Sequence, residues 1–241
     1  DEFVFGMEHA AMPFIRTDLG LNYDQIGLLF TIPSTIAIFI EMIFGVLGDG
    51  RGRKWIVIGG GIGFTIACVL SAISQNFTML LLSFIIFFPS SGGFVTLSQA
   101  ILMDIEPNRH QQNMARWTFA GSLGVVGGSL IFGIWGDWRA LYIVCALLAA
   151  GALGIILFYY IRGKAPQEAV QGSNADEDWS FREGLKEALG QLRRKEVLRW
   201  FTLLEFSDLM LDIFLAYLAL YFVDIVGKTE TEAAIAVTVW T

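Results

Sequence analysis

Several acidic side chains lie in stretches of sequence that are otherwise apolar, where a charge is costly. Glu205, Asp208 and Asp212 are spaced i, i+3 and i+7, which puts three carboxyls on one face of a helix. Because clustered carboxylates repel each other, at least one of them is expected to hold a proton near neutral pH. Such a carboxyl is suited to coupling proton movement to another process. Glu205 could instead pair with Arg199 near the membrane surface.

The first apolar stretch contains a second ionisable set. Asp1 and Glu8 are spaced i, i+7, as are Glu2 and His9, so two adjacent stripes are expected to face similar directions. Acids in such positions suit a cationic substrate or a proton relay, and Glu2, Glu8 and His9 are candidate site residues. Glu41 is a single charge deep in the next apolar stretch. We expect it to pair with a neighbour rather than to bind substrate.

Long apolar stretches dominate the chain. Of its 241 residues, 55% are hydrophobic and 16% are charged, and the mean hydropathy is +0.60. These values fit a multi-span membrane protein rather than a soluble one. About 20 apolar residues are needed to cross a bilayer as a helix. The predicted spans cover residues 3–15, 25–48, 55–74, 77–103, 117–135, 140–161 and 198–223, with an eighth starting near Ala233.

The basic residues indicate how the spans are oriented. The loops near residues 45–54 and 104–116 and the long connection 162–199 together carry 13 of the 16 Lys and Arg residues. These segments alternate with connections that carry only Arg16, Arg139 and Lys228. Excess Lys and Arg beside spans marks the cytoplasmic side. We therefore predict that the three basic segments are cytoplasmic.

The loop at residues 45–54 reads G-V-L-G-D-G-R-G-R-K. It resembles the loop signature of the major facilitator superfamily, G-x-L-A/G-D-R/K-x-G-R/K-R/K, although Gly50 stands where the family has a cation. The resemblance implies a loop between the second and third spans that latches the cytoplasmic side of two halves. Asp49 could accept hydrogen bonds from a helix N-terminus, and Gly45 and Gly48 could allow close helix contact. The matching latch residues are Gly45, Leu47, Gly48, Asp49, Gly52, Arg53 and Lys54.

Two further segments are similar to motifs of this family. Asp104, Arg109 and Arg116 resemble its second acidic and basic cytoplasmic loop, and we expect Arg116 to be a partner of Asp104. The fifth span is similar to an antiporter signature, G-x-x-x-G-P-x-x-G-G. It keeps three glycines but has Ser129 for proline and Phe132 for glycine. The retained glycines predict a bending, closely packed helix, and they are Gly124, Gly128 and Gly133.

The predicted fold is all-α, a polytopic membrane helix bundle of the superfamily type. Residues 1–161 are expected to form the N-terminal six-helix half, with a truncated first span, and 198–241 the start of the C-terminal half. Residues 162–197 are predicted to be a cytoplasmic linker with an amphipathic helix, either lying on the membrane or soluble. The chain therefore reads as part of a longer protein, whose missing C-terminal half is an expected partner. Its expected location is the cell (plasma or inner) membrane.

The resemblance implies a secondary active transporter that moves a small solute by alternating access. The glycines of the fifth span favour proton-linked export, with symport, antiport and uniport left open. A non-transporting membrane sensor or scaffold is the alternative. We find no enzyme constellation, because His9 and His110 lie in different regions. No cofactor, metal site or nucleic-acid partner is predicted, and a proton gradient is the expected energy source. Cys68 and Cys145 are interpreted as small apolar fillers.

Overall fold

A computed structural model describes residues 1–48, 52–162, 186, 190 and 194–240, excluding some side chains, among them those of Glu205, Asp208 and Asp212. The described secondary structure is helical. Its elements are α1 (Glu2–Leu19), α2 (Tyr23–Gly48), α3 (Arg53–Ala72), α4 (Phe77–Ser91), a π-helical turn (Gly92–Thr96), α5 (Leu97–Ile105), a 3-10 turn (Pro107–Arg109), α6 (His110–Trp135), α7 (Trp138–Ile161), α8 (Lys195–Asp224) and α9 (Glu230–Trp240).

Five helical segments are long and apolar enough to cross a membrane. They are α2, α3, the continuous segment Phe77–Ile105, α6 and α7. The predicted all-α bundle is confirmed, and most predicted span boundaries agree with the helices to within about three residues. The fifth span is the exception, because α6 begins at His110 and not at residue 117. Its first turns are polar, so hydrophobicity alone did not reveal them.

Short polar signals end one helix and start the next at the end of the bundle where α1 meets α2. Gly20 and Gly136 close α1 and α6 with φ of 63° and 72°, the left-handed conformation that glycine adopts easily. Asn76 and Asp137 cap α4 and α7, and their side chains accept bonds from Met79 N at 3.0 Å and Ala140 N at 3.1 Å. We call this end the far end, and the opposite one, with Arg53, the basic end.

The continuous segment Phe77–Ile105 runs through Pro89 and Gly92-Gly93, two features that commonly break helices, without ending there. The helix instead widens into a π-helical turn over Gly92–Thr96 and then continues as α5. Such turns take one extra residue into a helix and are frequent at functional sites. A chain that lacks β-carbons at two successive positions can make this change without steric conflict.

Helix α1 lies at the centre of the described bundle. Its residues Met7, Ala10, Ala11, Met12 and Ile15 are fully buried. Around it, aromatic side chains of α2, α3 and α4 form the rest of the core, which includes Phe30, Phe64, Phe84 and Phe87. Large apolar side chains on the outside of α6 and α7 are exposed, as expected of surfaces that contact lipid. In such bundles close packing, and not exclusion of water, holds the helices together.

Part of the sequence-based interpretation falls outside the described residues. This applies to Asp49 of the loop signature and to nearly all of the predicted amphipathic linker helix. It also applies to the side chains of Glu205, Asp208 and Asp212, although their backbone lies in α8. The roles assigned to these residues stay predictions.

Candidate functional site

Helices α1 and α6 touch through glycines. A β-carbon at Gly128 would stand 2.9 Å from Met7 N, and one at Gly124 would stand 3.1 Å from Phe3 N, so the two backbones are in contact there. Gly124 and Gly128 thus lie where α1 and α6 pack closely, as predicted for these two glycines. At Gly133 a β-carbon would meet Ile235 at an ordinary 3.6 Å. The predicted bending of this helix stays a prediction.

Ser129 replaces the proline of the antiporter signature and has a structural role of its own. Its hydroxyl donates a hydrogen bond to Gly6 O of α1 at 2.9 Å, and it lies 3.1 Å from Val125 O within α6. A proline could not donate this bond. The substitution therefore adds a polar tie to the glycine contact between α1 and α6.

Glu8 is the most buried ionisable residue of α1. Its side chain is 0% exposed, and its carboxylate accepts a hydrogen bond from the hydroxyl of Tyr142 in α7 at 3.3 Å. A carboxyl in the interior of a membrane bundle is expensive and usually functional. Its position between α1 and α7 makes Glu8 the strongest candidate for proton exchange among the side chains that the structure describes.

His9, the next residue, points to other neighbours. Its Nδ1 lies 2.7 Å from Phe5 O, and its ring stacks on Phe30 of α2 with centroids 5.6 Å apart. Glu2 is exposed and lies against α6, where a β-carbon at Gly121 would stand 3.3 Å from its Cγ. Asp1 interacts with Ser91 at 2.5 Å.

Asp1 and Glu8, seven residues apart, both lie towards α7. Asp1 lines a cavity with Cys145 and Ala149 of α7 and also contacts Ser91, and Glu8 contacts Tyr142 of α7. The expectation that these residues form two adjacent stripes with a shared function stays a prediction. Glu2, Glu8 and His9 are separate candidates and not one cluster.

An ion pair between buried Arg53 and Asp104, which is 45% exposed, joins the two basic loops. The Arg53 side chain is 5% exposed, donates from Nε to Gly48 O at 2.8 Å and pairs with Asp104 at 2.5 Å. The expected pairing of Asp104 with Arg116 is therefore wrong. Arg53 begins α3 between the ends of α2 and α5, whereas Arg116 lies on the exposed surface of α6.

The other latch candidates are distributed around this pair. Arg109 forms an exposed pair with Glu106 at 3.6 Å, and the Lys54 ammonium lies 5.1 Å from the ring centroid of Tyr160. A β-carbon at Gly48 would stand 2.7 Å from a methyl group of Leu97, so Gly48 does allow close contact. The other two latch glycines do not contact a neighbouring helix in this way. Gly52 lies close to the carbonyl of Leu47, and Gly45 faces open space in the described part of the chain, contrary to the expectation of helix contact there.

Two more features are candidates for contacts with a solute or a neighbouring helix. Glu41 is exposed on α2 and its carboxylate rests against Gly92 of the π-helical turn, which agrees with a neighbour contact. An open groove of about 720 Å³ runs along the first half of α6. Aromatic, thioether and polar side chains line it, and the described residues that do so all belong to α6. Its lining includes His110, Gln111, Met114, Thr118, Phe119 and Ser122.

The family model of the major facilitator superfamily matches residues 3–241. The chain belongs to this superfamily. Quinolone resistance protein NorA of Staphylococcus aureus (strain Mu50) is 29% identical over 155 residues, which are 64% of this chain and 39% of NorA. Purine ribonucleoside efflux pump NepI of Escherichia coli O127:H6 is 24% identical over 153 residues, 62% of this chain and 37% of NepI. The chain thus matches about two fifths of the length of these curated relatives.

Membership of the superfamily identifies the chain as an integral membrane protein. Polar residues at the far end, which the sequence did not single out, connect helices of this membrane bundle. Arg16 and Tyr23 both contact Asp224 of α8, and Arg139 of α7 pairs with Asp18 at 2.8 Å. In the sequence these two arginines contribute only to the charge balance of their connections. Each nevertheless stands at a span end on the same side as its acid, and this placement is the signal that could indicate the pairing.

Proposed function

We propose that this protein is a secondary active transporter that exports a small solute by alternating access. The observation that carries this proposal is the superfamily match over residues 3–241. The names of the relatives add to it, since NepI is called an efflux pump and NorA a resistance protein. The same membership argues against an enzyme. A C-terminal half of the same chain, which the sequence leads us to expect, would complete the pathway between two halves.

We propose that export is coupled to proton entry and that Glu8 carries the proton. Its carboxyl is fully buried and accepts a hydrogen bond from Tyr142, and an ionisable group is costly at such a site unless it serves a function. It would release the proton when the halves rearrange and water reaches the site. Glu205, Asp208 and Asp212 stay a second proposed set on α8. No cofactor besides the proton gradient enters this scheme.

The coupling proposal is tested with Glu8→Gln in the protein that carries both halves. We expect solute uptake into everted vesicles to lose its dependence on an imposed pH gradient. Asp24→Asn is the matched control, because Asp24 is an exposed carboxylate at the start of α2. Asp208→Asn and Asp212→Asn test the second set in the same assay. An unchanged pH-gradient dependence in Glu8→Gln would remove Glu8 from the mechanism.

We propose that the α6 groove contacts the solute. Phe119 is 66% exposed in it and supplies a flat apolar surface for an aromatic or heterocyclic solute. Phe119→Ala should raise the KM several-fold while leaving the melting temperature unchanged. Leu130→Ala is the control, since Leu130 is 45% exposed on the same helix outside the groove. An equal KM for the Phe119 variant and the parent would argue against contact between the α6 groove and the solute.

We propose the cell membrane as the location, with the basic end in the cytoplasm. Single cysteines can test this orientation. A membrane-impermeant thiol reagent added to intact cells should label Lys228→Cys and leave Glu106→Cys unlabelled. Both residues are exposed, so accessibility within the protein is matched. The reverse pattern would invert the proposed topology.

A further inference from the structure

A polar network at the far end joins the first two helices to α8. The Arg16 guanidinium, in the last turn of α1, forms an ion pair with Asp224, the last residue of α8. Tyr23, the first residue of α2, donates its hydroxyl to the same carboxylate. The guanidinium also lies 4.5 Å from the ring centroid of Tyr23. Asp224 is thus held by two donors from two helices of the N-terminal half.

Two more contacts extend this network. The Thr17 hydroxyl donates to the carboxylate of Glu230 at 3.0 Å, which ties α1 to the first residue of α9. The Tyr217 hydroxyl of α8 donates to Tyr23 O at 2.9 Å, and the two rings stack with centroids 6.1 Å apart. Apart from the contact between Arg16 and Tyr23, every one of these contacts crosses from residues 1–161 to residues 195–240.

The strength of the network suits a device that opens and closes. The Arg16 and Asp224 side chains are each 28% exposed, so water already reaches them. Ion pairs with this exposure are individually weak, and a separated pair recovers much of its energy from water. The pair within the N-terminal half, Arg139 with Asp18, belongs to a different arrangement. Arg139 also donates to the carbonyls of Ala72 and Ser74, at 3.0 and 2.5 Å.

We propose that Arg16, Thr17, Tyr23, Asp224 and Glu230 form a latch, called here the far-end latch, that closes the outer side of the pathway. The latch is made in the conformation described and must separate when the halves rock to open the outer side. Its purpose rests on the proposed alternating access. Its existence as a closing contact does not, because closure can be measured without solute.

Ala234, which is 0% exposed one turn into α9, serves as the reporter. The measurement is the rate at which a membrane-impermeant maleimide labels Ala234→Cys from outside, in the protein that carries both halves, with a variant lacking the reporter as background. Adding Arg16→Glu sets two carboxylates against each other and should speed labelling at least fivefold. The double variant Arg16→Glu with Asp224→Arg restores opposite charges and should return the rate toward the parent.

The matched control is Asp18→Arg, which creates the same like-charge conflict at the same end but inside the N-terminal half. Labelling should stay within twofold of the parent. Faster labelling in this control to the same degree as in Arg16→Glu would overturn the latch, because any disturbance of this end would then suffice. An unchanged rate in Arg16→Glu would overturn it as well.

A second measurement stays informative if the charge variants fold poorly. It uses the Asp224→Arg background, in which a short thiol cross-linker joins Thr17→Cys to Glu230→Cys. The cross-link should hold the outer side closed, so labelling of Ala234→Cys should stay slow. Fast labelling despite the cross-link would contradict the latch. If labelling follows the latch while no solute flux is found in any variant, the latch stands and the proposed transport function fails.

Discussion

The contacts within residues 1–161 differ in kind from those that connect them to α8 and α9. Inside the N-terminal half, the backbones of α1 and α6 touch at Gly128. Its ion pair at the basic end joins Arg53, which is 5% exposed, to Asp104, which is 45% exposed. At the far end, polar contacts connect α1 and α2 to α8 and α9, and the Arg16–Asp224 pair is 28% exposed on both sides. A backbone contact suits a permanent junction, and partly exposed polar contacts suit a junction that separates.

The contact at Gly128 offers the largest test of this difference. In Gly128→Ala the added carbon meets the backbone of α1, which cannot move aside, so we expect a loss of about 3 kcal/mol of stability. Thermal unfolding in detergent measures it. Gly133→Ala is the matched control, where an ordinary contact and better helix propensity predict no loss. Equal melting temperatures for the two variants would contradict the tight contact.

Substitution of Arg53 tests the ion pair at the basic end. Arg53→Ala leaves Gly48 O and the Asp104 carboxylate without this donor, and we expect a loss of about 1.5–3 kcal/mol. The comparison variant is Arg116→Ala, an exposed arginine for which a change within about 0.5 kcal/mol is expected. A larger loss in the Arg116 variant would restore the original expectation that Arg116 is the partner of Asp104.

Arg16 should affect stability much less than Arg53, although both arginines pair with aspartate. Arg16→Ala removes a half-exposed pair, for which about 0.2–1 kcal/mol is expected. The effect should shrink further in high salt, because ions screen exposed charges. Unfolding curves at low and high salt check both points. A salt-independent loss as large as that of Arg53→Ala would mean that the far end is not built to separate.

The smallest expected effect lies at the start of α9. The Thr229 N–H donates to Glu232 at 3.0 Å, and this bond, with the nearby Lys228 charge, lowers the pKa of Glu232 below its ordinary 4.5. The folded pKa is below the unfolded one, so the contribution is present above pH 4.5 and disappears as the pH falls through the lowered value. Glu232→Gln should lower the melting temperature slightly at pH 7. A difference that persists unchanged at pH 3 would contradict this assignment.

The sequence predicted the spans well because span length and apolar composition are local properties of the chain. It also located the basic loops, whose composition reflects the side of the membrane. It did not predict that Arg53 is the partner of Asp104, because 51 residues separate them and only the packing of α2, α3 and α5 brings them together. The same limit applies to α1. Periodicity gave the face that Glu8 and His9 occupy but not which helix covers each.

The π-helical turn at Gly92–Thr96 sets the angular position of everything after it in the fourth span. One residue in a helix corresponds to about 100° of rotation. If these five residues became regular α-helix with the chain length unchanged, the extra residue would no longer be absorbed, and α5 would swing by about that angle. Asp104 would then point away from Arg53, and the two basic loops would lose their tie without any change to either charged residue. One widened helical turn within the fourth span thus decides whether Asp104 meets Arg53, more than two helical turns away.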